Sequence, residues 1–184
     1  RLHLPVQDYF LCVEAGIVKA MNEKAAPDES VTAEWKMLAT IGELPVYLKS
    51  AVTPLLTTTW NQDCYYNDSV PEDASGPCGH CYAGCVATAM GQVMKYHNYP
   101  PVGVGSNIYG TGSYSNIHVD FSQASYNWAG MPNSISTYNE PIAELLYHLG
   151  VSVNMGYAPD GSGANSQDVE AALRDNFAYA DYLF

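Results

Sequence analysis

Apolar residues recur at helical spacing in several stretches of the chain, separated by segments that carry turn signals. Val6, Phe10, Val13, Ile17 and Met21 fall on one stripe and predict a helix over 6–24. After the polar break Ala25–Ser30, residues 31–41 predict a second, short helix. Ile41 to Pro54 reads as an extended connector punctuated by Pro45 and Pro54, and from Leu55 the chain is Thr-rich and extended, ending in Trp60-Asn61-Gln62. Residues 63–83, with Pro71, Gly76, Pro77 and Gly79, predict an irregular loop. Val86, Met90, Val93 and His97 then follow the i, i+4, i+7, i+11 rhythm of one buried helix face, and Asn98-Tyr99-Pro100-Pro101 stops that helix. Short strand-like pieces are expected within 102–138. Pro141 suits a first helical turn, and Ile142, Leu145, Leu146 and Leu149 form the inward face of a helix expected to end at Gly150. Val151–Met155 reads as a strand. The Gly-rich loop 157–164 leads, through a cap at Asn165 or Ser166, into a last helix with Val169, Ala172, Leu173 and Phe177 facing inward.

The chain has 184 residues, 47% of them apolar, enough for one domain with a real core and an appended segment. No apolar run approaches the ~18 residues of a membrane span. The charge is lopsided: residues 51–184 hold two basic side chains, Lys95 and Arg174, against twelve acidic ones, a net of −10, while the first fifty carry a net of −2. A surface so poor in cations repels phosphate backbones and anionic lipid, which argues against nucleic acid and membranes as partners. The change near residue 50 marks a weak boundary. Fifteen Tyr against four Phe, with frequent Gly, Asn and Ser, suggests a loop-rich exported protein. The sequence opens at Arg1 without a basic and apolar leader, so a signal peptide is expected to have been removed or not included.

Gly84 breaks the chain just before Cys85, which places that thiol at a helix N-terminus. Unpaired N–H groups and the positive end of the helix dipole there favour thiolate over thiol, as a cysteine nucleophile needs. A small core cysteine at a helix start is the plain alternative. Cys78-x2-Cys81-x3-Cys85, with His80 inside it and His97 as a remote ligand, invites a zinc reading, but no second Cys-x2-Cys pair supports it. A Cys64–Cys78 or Cys78–Cys81 disulfide suits an exported protein better, and no function for these three cysteines is a further alternative. With five cysteines, an odd number, at least one thiol stays free. His97 lies twelve residues along the same helix from Cys85, about 18 Å at 1.5 Å per residue, too far for proton transfer. His80 is close enough in sequence to remain a candidate base, whereas His3, His118 and His148 have no supporting neighbours.

Trp60-Asn61-Gln62 with Tyr65-Tyr66-Asn67, Gly84-Cys85-Val86-Ala87-Thr88-Ala89, and Met94-Lys95-Tyr96-His97-Asn98-Tyr99-Pro100 together resemble the streptopain family of bacterial cysteine peptidases. Tyr126-Asn127-Trp128, Gly150-Val151-Ser152-Val153-Asn154-Met155 and the Gly-rich loop at 161–164 fit that family's later segments, so the resemblance spans roughly 53–184 in consistent order. It implies an α+β, papain-like fold and a secreted endopeptidase made as a zymogen. Residues 51–184 would form a mostly helical nucleophile lobe with short strands. Cys85 would be the nucleophile, and Gln62 with the Cys85 N–H would form the oxyanion hole. Gly84, Ser162 and Gly163 would hold substrate backbone; the other reading of 161–163 is a flexible turn. No cofactor or metal is implied, only a reducing environment for Cys85.

The family's Gly-Gly-His and Asn-Trp-Gly-Trp segments do not occur in the sequence. A C-terminal polypeptide carrying the catalytic histidine and its β-rich lobe is therefore an expected partner. The apolar faces at 142–149 and 169–177 are expected to need its cover. Residues 1–50 read as the end of an inhibitory propeptide, cut within roughly Glu43–Thr53, with an extra subdomain as the alternative. The rival functions are a non-catalytic papain-like binding or inhibitory module and a zinc-stabilised interaction domain.

Overall fold

A computed structural model describes residues 14–16, 18, 19, 21, 22, 28–41, 53–111 and 113–180. The chain divides into two units, Arg1–Thr53 and Pro54–Phe184. In the first, residues 14–16, 18, 19, 21 and 22 are helical, while Val6, Phe10, Val13 and Ile17 of the expected stripe lie outside the described residues, as does nearly all of Glu43–Thr53. Helix α1, Glu29–Ile41, begins two residues earlier than the apolar pattern suggests, because the Asp28 carboxylate accepts the Ser30 N–H at 2.7 Å and caps the first turn.

The second unit is built on two helices. Helix α2, Cys85–His97, lies against helix α3, Glu140–Ser152. Asn139 caps α3 through its side chain to the Ile142 N–H, Pro141 occupies the first turn, and Ile142, Leu145, Leu146 and Leu149 are buried as their spacing predicts. A methyl group on Gly91 would sit 2.9 Å from a Leu146 methyl carbon and 3.2 Å from the Trp60 ring, so a glycine is what lets α2 approach α3. A hairpin of β1, Ser106–Thr111, and β2, Tyr114–Asp120, pairs Asn107 with Val119 and Tyr109 with Ile117. Ile117 and Val119 face the core and His118 faces out, the alternation of a one-sided strand. Helix α4, Asp168–Phe177, adds Ala172 and Phe177 to the core, with Val169 and Leu173 half-buried. The Asn165 carboxamide accepts the Gln167 N–H just ahead of it.

Three expectations are corrected. Val93 and His97 are exposed, and the buried face of α2 is Ala87, Met90, Gly91 and Met94, one step round the helix. Val151–Met155 is not a strand: α3 runs through Gly150 to Ser152, and the Gly150 carbonyl accepts the Val153 and Met155 N–H groups as the helix turns off at Asn154, whose φ is 51°. Gly150 is there for packing, since a Cβ would collide with the Tyr157 hydroxyl. Finally, the faces at 142–149 and 169–177 are already packed inside the chain.

His148 sits in that core. Its Nδ1 meets the Tyr126 hydroxyl at 3.1 Å, and Phe121 and Tyr126 present their rings to it. Glu144 approaches to 4.0 Å and favours the imidazolium, but its side chain is 44% exposed, and burial dominates, holding the imidazole down at about 4. The unfolded chain binds this proton near pH 6.5 and the folded chain only near 4, so stability is whole above 6.5 and falls as pH drops through that window. The loss amounts to about 3 kcal/mol. Denaturant melts at pH 7.5 and 4.5 are expected to show a markedly smaller pH effect in His148→Gln, which keeps an acceptor for Tyr126 but does not titrate.

Candidate active site

The loop before α2 and the loop after α3 meet at Gly84. Gly84 is buried, with φ 94°, and a Cβ there would lie 2.6 Å from the Met155 methyl carbon and 3.5 Å from Ser162 Cβ. Only glycine takes this backbone without strain. The turn it makes leaves Cys85 at the head of α2 with its side chain exposed and its thiol free. The first helical bond runs from the Thr88 N–H to the Gly84 carbonyl at 3.1 Å, and Gly84 has no side chain to cap the turn. The amides of Cys85, Val86 and Ala87 therefore precede the first helical bond, which makes this end a donor site for negative charge.

Gln62 reaches the same place through its backbone. Its carbonyl accepts the Ala83 N–H at 2.9 Å, two residues before Cys85, and its own N–H donates to Asn61 Oδ1 at 2.8 Å. Its side chain is half-buried. On the other side, Gly156 and Gly163 exchange both backbone bonds, at 2.8 and 3.2 Å, closing the loop between them. Inside it the Ser162 hydroxyl accepts the Ala158 N–H at 3.1 Å and is buried by that work. The Tyr82 N–H donates to the Ala158 carbonyl at 3.3 Å, so this loop is tied to the segment entering Cys85. Cys85, Gln62, Gly84, Ser162 and Gly163 are thus gathered round one turn, although they lie up to 101 residues apart in sequence.

The other cysteines separate into two kinds. Cys64 and Cys78 form a disulfide with a Cα separation of 5.4 Å, and Cys81 is fully buried and free. Burial pushes the Cys81 thiol up, with Tyr114 hydrogen-bonding it in the opposite sense, so it stays protonated and shielded. The zinc arrangement is overturned: Cys78 has no thiolate to offer, and among the described residues no group of His, Cys, Asp and Glu is placed to hold a metal ion. Among the described residues nothing hydrogen-bonds the Cys85 thiol. His97 stands at the far end of α2, and His80 Nδ1 pairs with the Val70 carbonyl at 3.0 Å.

Sequence reasoning missed Asn67. It is fully buried, and its amide donates to the carbonyls of Pro77 at 2.8 Å and Cys81 at 3.0 Å. In the sequence it stands at the end of the Tyr65-Tyr66-Asn67 motif and at the start of an Asn-x-Ser pattern, neither of which signals this role, and burial makes it useless as a glycan acceptor in the folded chain.

The family profile of the peptidase C10 family matches residues 60–183. The chain is 35% identical over 152 residues to the thiol protease/hemagglutinin PrtT of Porphyromonas gingivalis, covering 74% of this chain and 17% of that protein. It is 37% identical over 115 residues to streptopain of Streptococcus pyogenes, covering 54% of this chain and 28% of that protein. The chain therefore spans less than a third of either curated relative. The structure of active interpain A cysteine protease from Prevotella intermedia superposes with a TM-score of 0.64 at 35% identity, over 71% of this chain and 61% of that one. A mutant prointerpain A fragment from the same organism superposes with a TM-score of 0.63 at 32% identity, over 96% of this chain and 56% of the fragment. The α+β fold is that of these papain-like peptidases.

Two outcomes are expected from this geometry. Brief alkylation of the native chain modifies Cys85 and spares Cys81, which reacts only after denaturation, as read by peptide mass. Gly84→Ala, placing a side chain at φ 94° against Met155, lowers stability by about 1–3 kcal/mol in denaturant melts.

Proposed function

The chain belongs to the peptidase C10 family, and from that membership we propose that it is the nucleophile-bearing part of a secreted cysteine endopeptidase made as a zymogen. The reading is carried by one observation: an exposed, free Cys85 at the first turn of α2, with Gln62 pinned beside it through Ala83. The Cys85 thiolate attacks the carbonyl carbon of a peptide bond. Negative charge gathers on the carbonyl oxygen, where the Cys85 N–H and the Gln62 amide donate to it. The C–N bond then breaks, the leaving amine takes a proton from an imidazolium, and the acyl group stays on Cys85 as a thioester. Water activated by the same imidazole releases it, and no cofactor takes part. Substrates are proteins and peptides, held along Gly84, Ser162 and Gly163, with a hydrophobic residue two positions before the cut.

The histidine comes from further polypeptide. Among the described histidines, His80 is engaged with Val70, His97 is a helix length away, His118 faces outward from the hairpin, and His148 is buried and neutral. The outer face of α2 supports a covering lobe: Cys85, Ala89, Val93 and Tyr96 form one exposed stripe, with Val93 45% and Tyr96 48% accessible. Beside it Leu55, at 66%, and Leu56 line a groove of about 350 Å³ with Gln92 and Tyr96. An apolar stripe of this kind is unusual on a solvated helix.

Residues 1–50 act as the end of the inhibitory propeptide and are released by a cut within Glu43–Thr53. The likeness to the prointerpain A fragment extends over 96% of this chain, whereas that to active interpain A covers 71%, a share equal in size to Pro54–Phe184.

In the complete peptidase, Cys85→Ser is expected to abolish hydrolysis of a protein substrate while the melting temperature stays within a few degrees. Gln62→Ala is expected to lower kcat about 10²–10³-fold with little change in KM. Activity retained by Cys85→Ser overturns the assignment.

A further inference from the structure

The segment that carries Gln62 has almost no regular structure of its own, and neither has the segment that enters Cys85. What joins them is a short set of links. Cys64, two residues beyond Gln62, is bonded to Cys78. Buried Asn67 donates to the carbonyls of Pro77 and Cys81. The Ala83 N–H closes the set on the Gln62 carbonyl. The covalent link lies between the other two and is the one that solvent competition cannot loosen. The Cys78 side of the clamp also supports the substrate wall, since a Cβ on Gly76 would lie 3.3 Å from Pro159 Cα and Tyr82 bonds Ala158. Asp73 orders the turn between them: its carbonyl accepts the Gly76 N–H, its carboxylate accepts the Ser75 N–H, and the Tyr114 hydroxyl donates to that carboxylate at 2.6 Å.

We propose that the Cys64–Cys78 disulfide is a positioning element for the oxyanion hole, and that the peptidase works only within a redox window in which Cys85 is reduced while Cys64–Cys78 remains oxidised. The proposal rests on the reading of Cys85 and Gln62 given above. Its chemistry is ordinary thiol–disulfide exchange with a small thiol. One thiolate attacks a sulfur of the pair to give a mixed disulfide and one free cysteine, and a second thiolate releases the other cysteine. Two electrons and two protons pass to Cys64 and Cys78, and two small thiols leave as their disulfide. Cys85, exposed and singly placed, is reduced by the same reagent from a mixed disulfide or a sulfenic acid. Mild reduction therefore activates, and exhaustive reduction frees the Gln62 segment and slows turnover.

Two experiments decide it. In this chain alone, the Ala83 amide, which donates to Gln62, is expected to exchange with deuterium at least about tenfold faster once Cys64–Cys78 is opened, while amides inside α3 do not change. In the complete peptidase, the Cys64→Ser/Cys78→Ser double variant is expected to lose about tenfold or more in kcat per alkylatable Cys85, with the Cys85 alkylation rate within about twofold of the parent. Adding Gln62→Ala to the double variant then costs clearly less than the same substitution costs the parent, because part of the same interaction has already been lost. Wild-type kcat in the folded double variant, losses that multiply with those of Gln62→Ala, or unchanged Ala83 exchange each overturn the proposal. If the double variant does not melt cooperatively, a redox titration of the unmutated peptidase decides: activity that stays level while peptide mass shows the disulfide opening overturns it too. A failure of the underlying assignment is seen separately, as activity in Cys85→Ser.

Discussion

At Gly91 helix α2 lies so close to Leu146, Leu149 and Trp60 that even one methyl group would force the Leu146 side chain to shift, and that contact orients the helix that bears Cys85. Once Ala87, Met90, Gly91 and Met94 face α3, the opposite side of α2 must face away, and Cys85, Ala89, Val93 and Tyr96 are on it. Exposure of the thiol is therefore a consequence of packing about 10 Å of helix, from Ala87 to Met94, behind it. Trp60 takes part from both sides: its ring meets Gly91, its indole N–H donates to the Pro132 carbonyl at 2.8 Å, and its backbone N–H donates to Gln92. The same residue that packs the helix thus begins the segment that leads two positions later to Gln62.

Four cysteines in one short stretch of chain have three different chemistries, and environment alone separates them. Cys64 and Cys78 are joined, Cys81 is enclosed beside Tyr114 and kept protonated by burial, and Cys85 is open to solvent at the positive end of a helix. A thiol that must react needs access and a field, and one that must not react needs neither. The buried imidazole of His148 shows the same rule in the core, where loss of hydration outweighs a nearby carboxylate.

Irregular backbone surrounds the site, and it is kept in place by polar side chains acting as fasteners. Asn67, Asp73 and Ser162 each bond backbone groups that no helix or strand would satisfy. Tyr109 and Asn107 do the same for the end of α3, donating to the Met155 and Val151 carbonyls at 2.9 and 2.7 Å and fixing the hairpin to the turn that follows α3. The abundance of Tyr and Asn in the composition has this use: each carries a donor on a body that can still pack.

Local patterning determined the helices, because a period of 3.6 residues is a property of consecutive side chains: Ile142, Leu145, Leu146 and Leu149 announced α3, and Gly84-Cys85 announced the head of α2. Family likeness in ordered motifs was equally legible, since it too is carried by the string of residues. Which face of α2 is buried was not, because Val86–Met90–Val93 and Met90–Gly91–Met94 are both acceptable apolar stripes, and only the partner helix chooses between them. The end of α3 is hidden in the sequence for a related reason: Gly150 looks like a stop, but the Tyr157 hydroxyl packed on it makes it a contact instead. The choice of Cys64–Cys78 over Cys78–Cys81, the burial of Asn67 and the meeting of Gln62, Gly84 and Ser162 depend on residues distant along the chain. Such contacts arise only when loops are closed on a finished core, and that is what the tertiary structure decided.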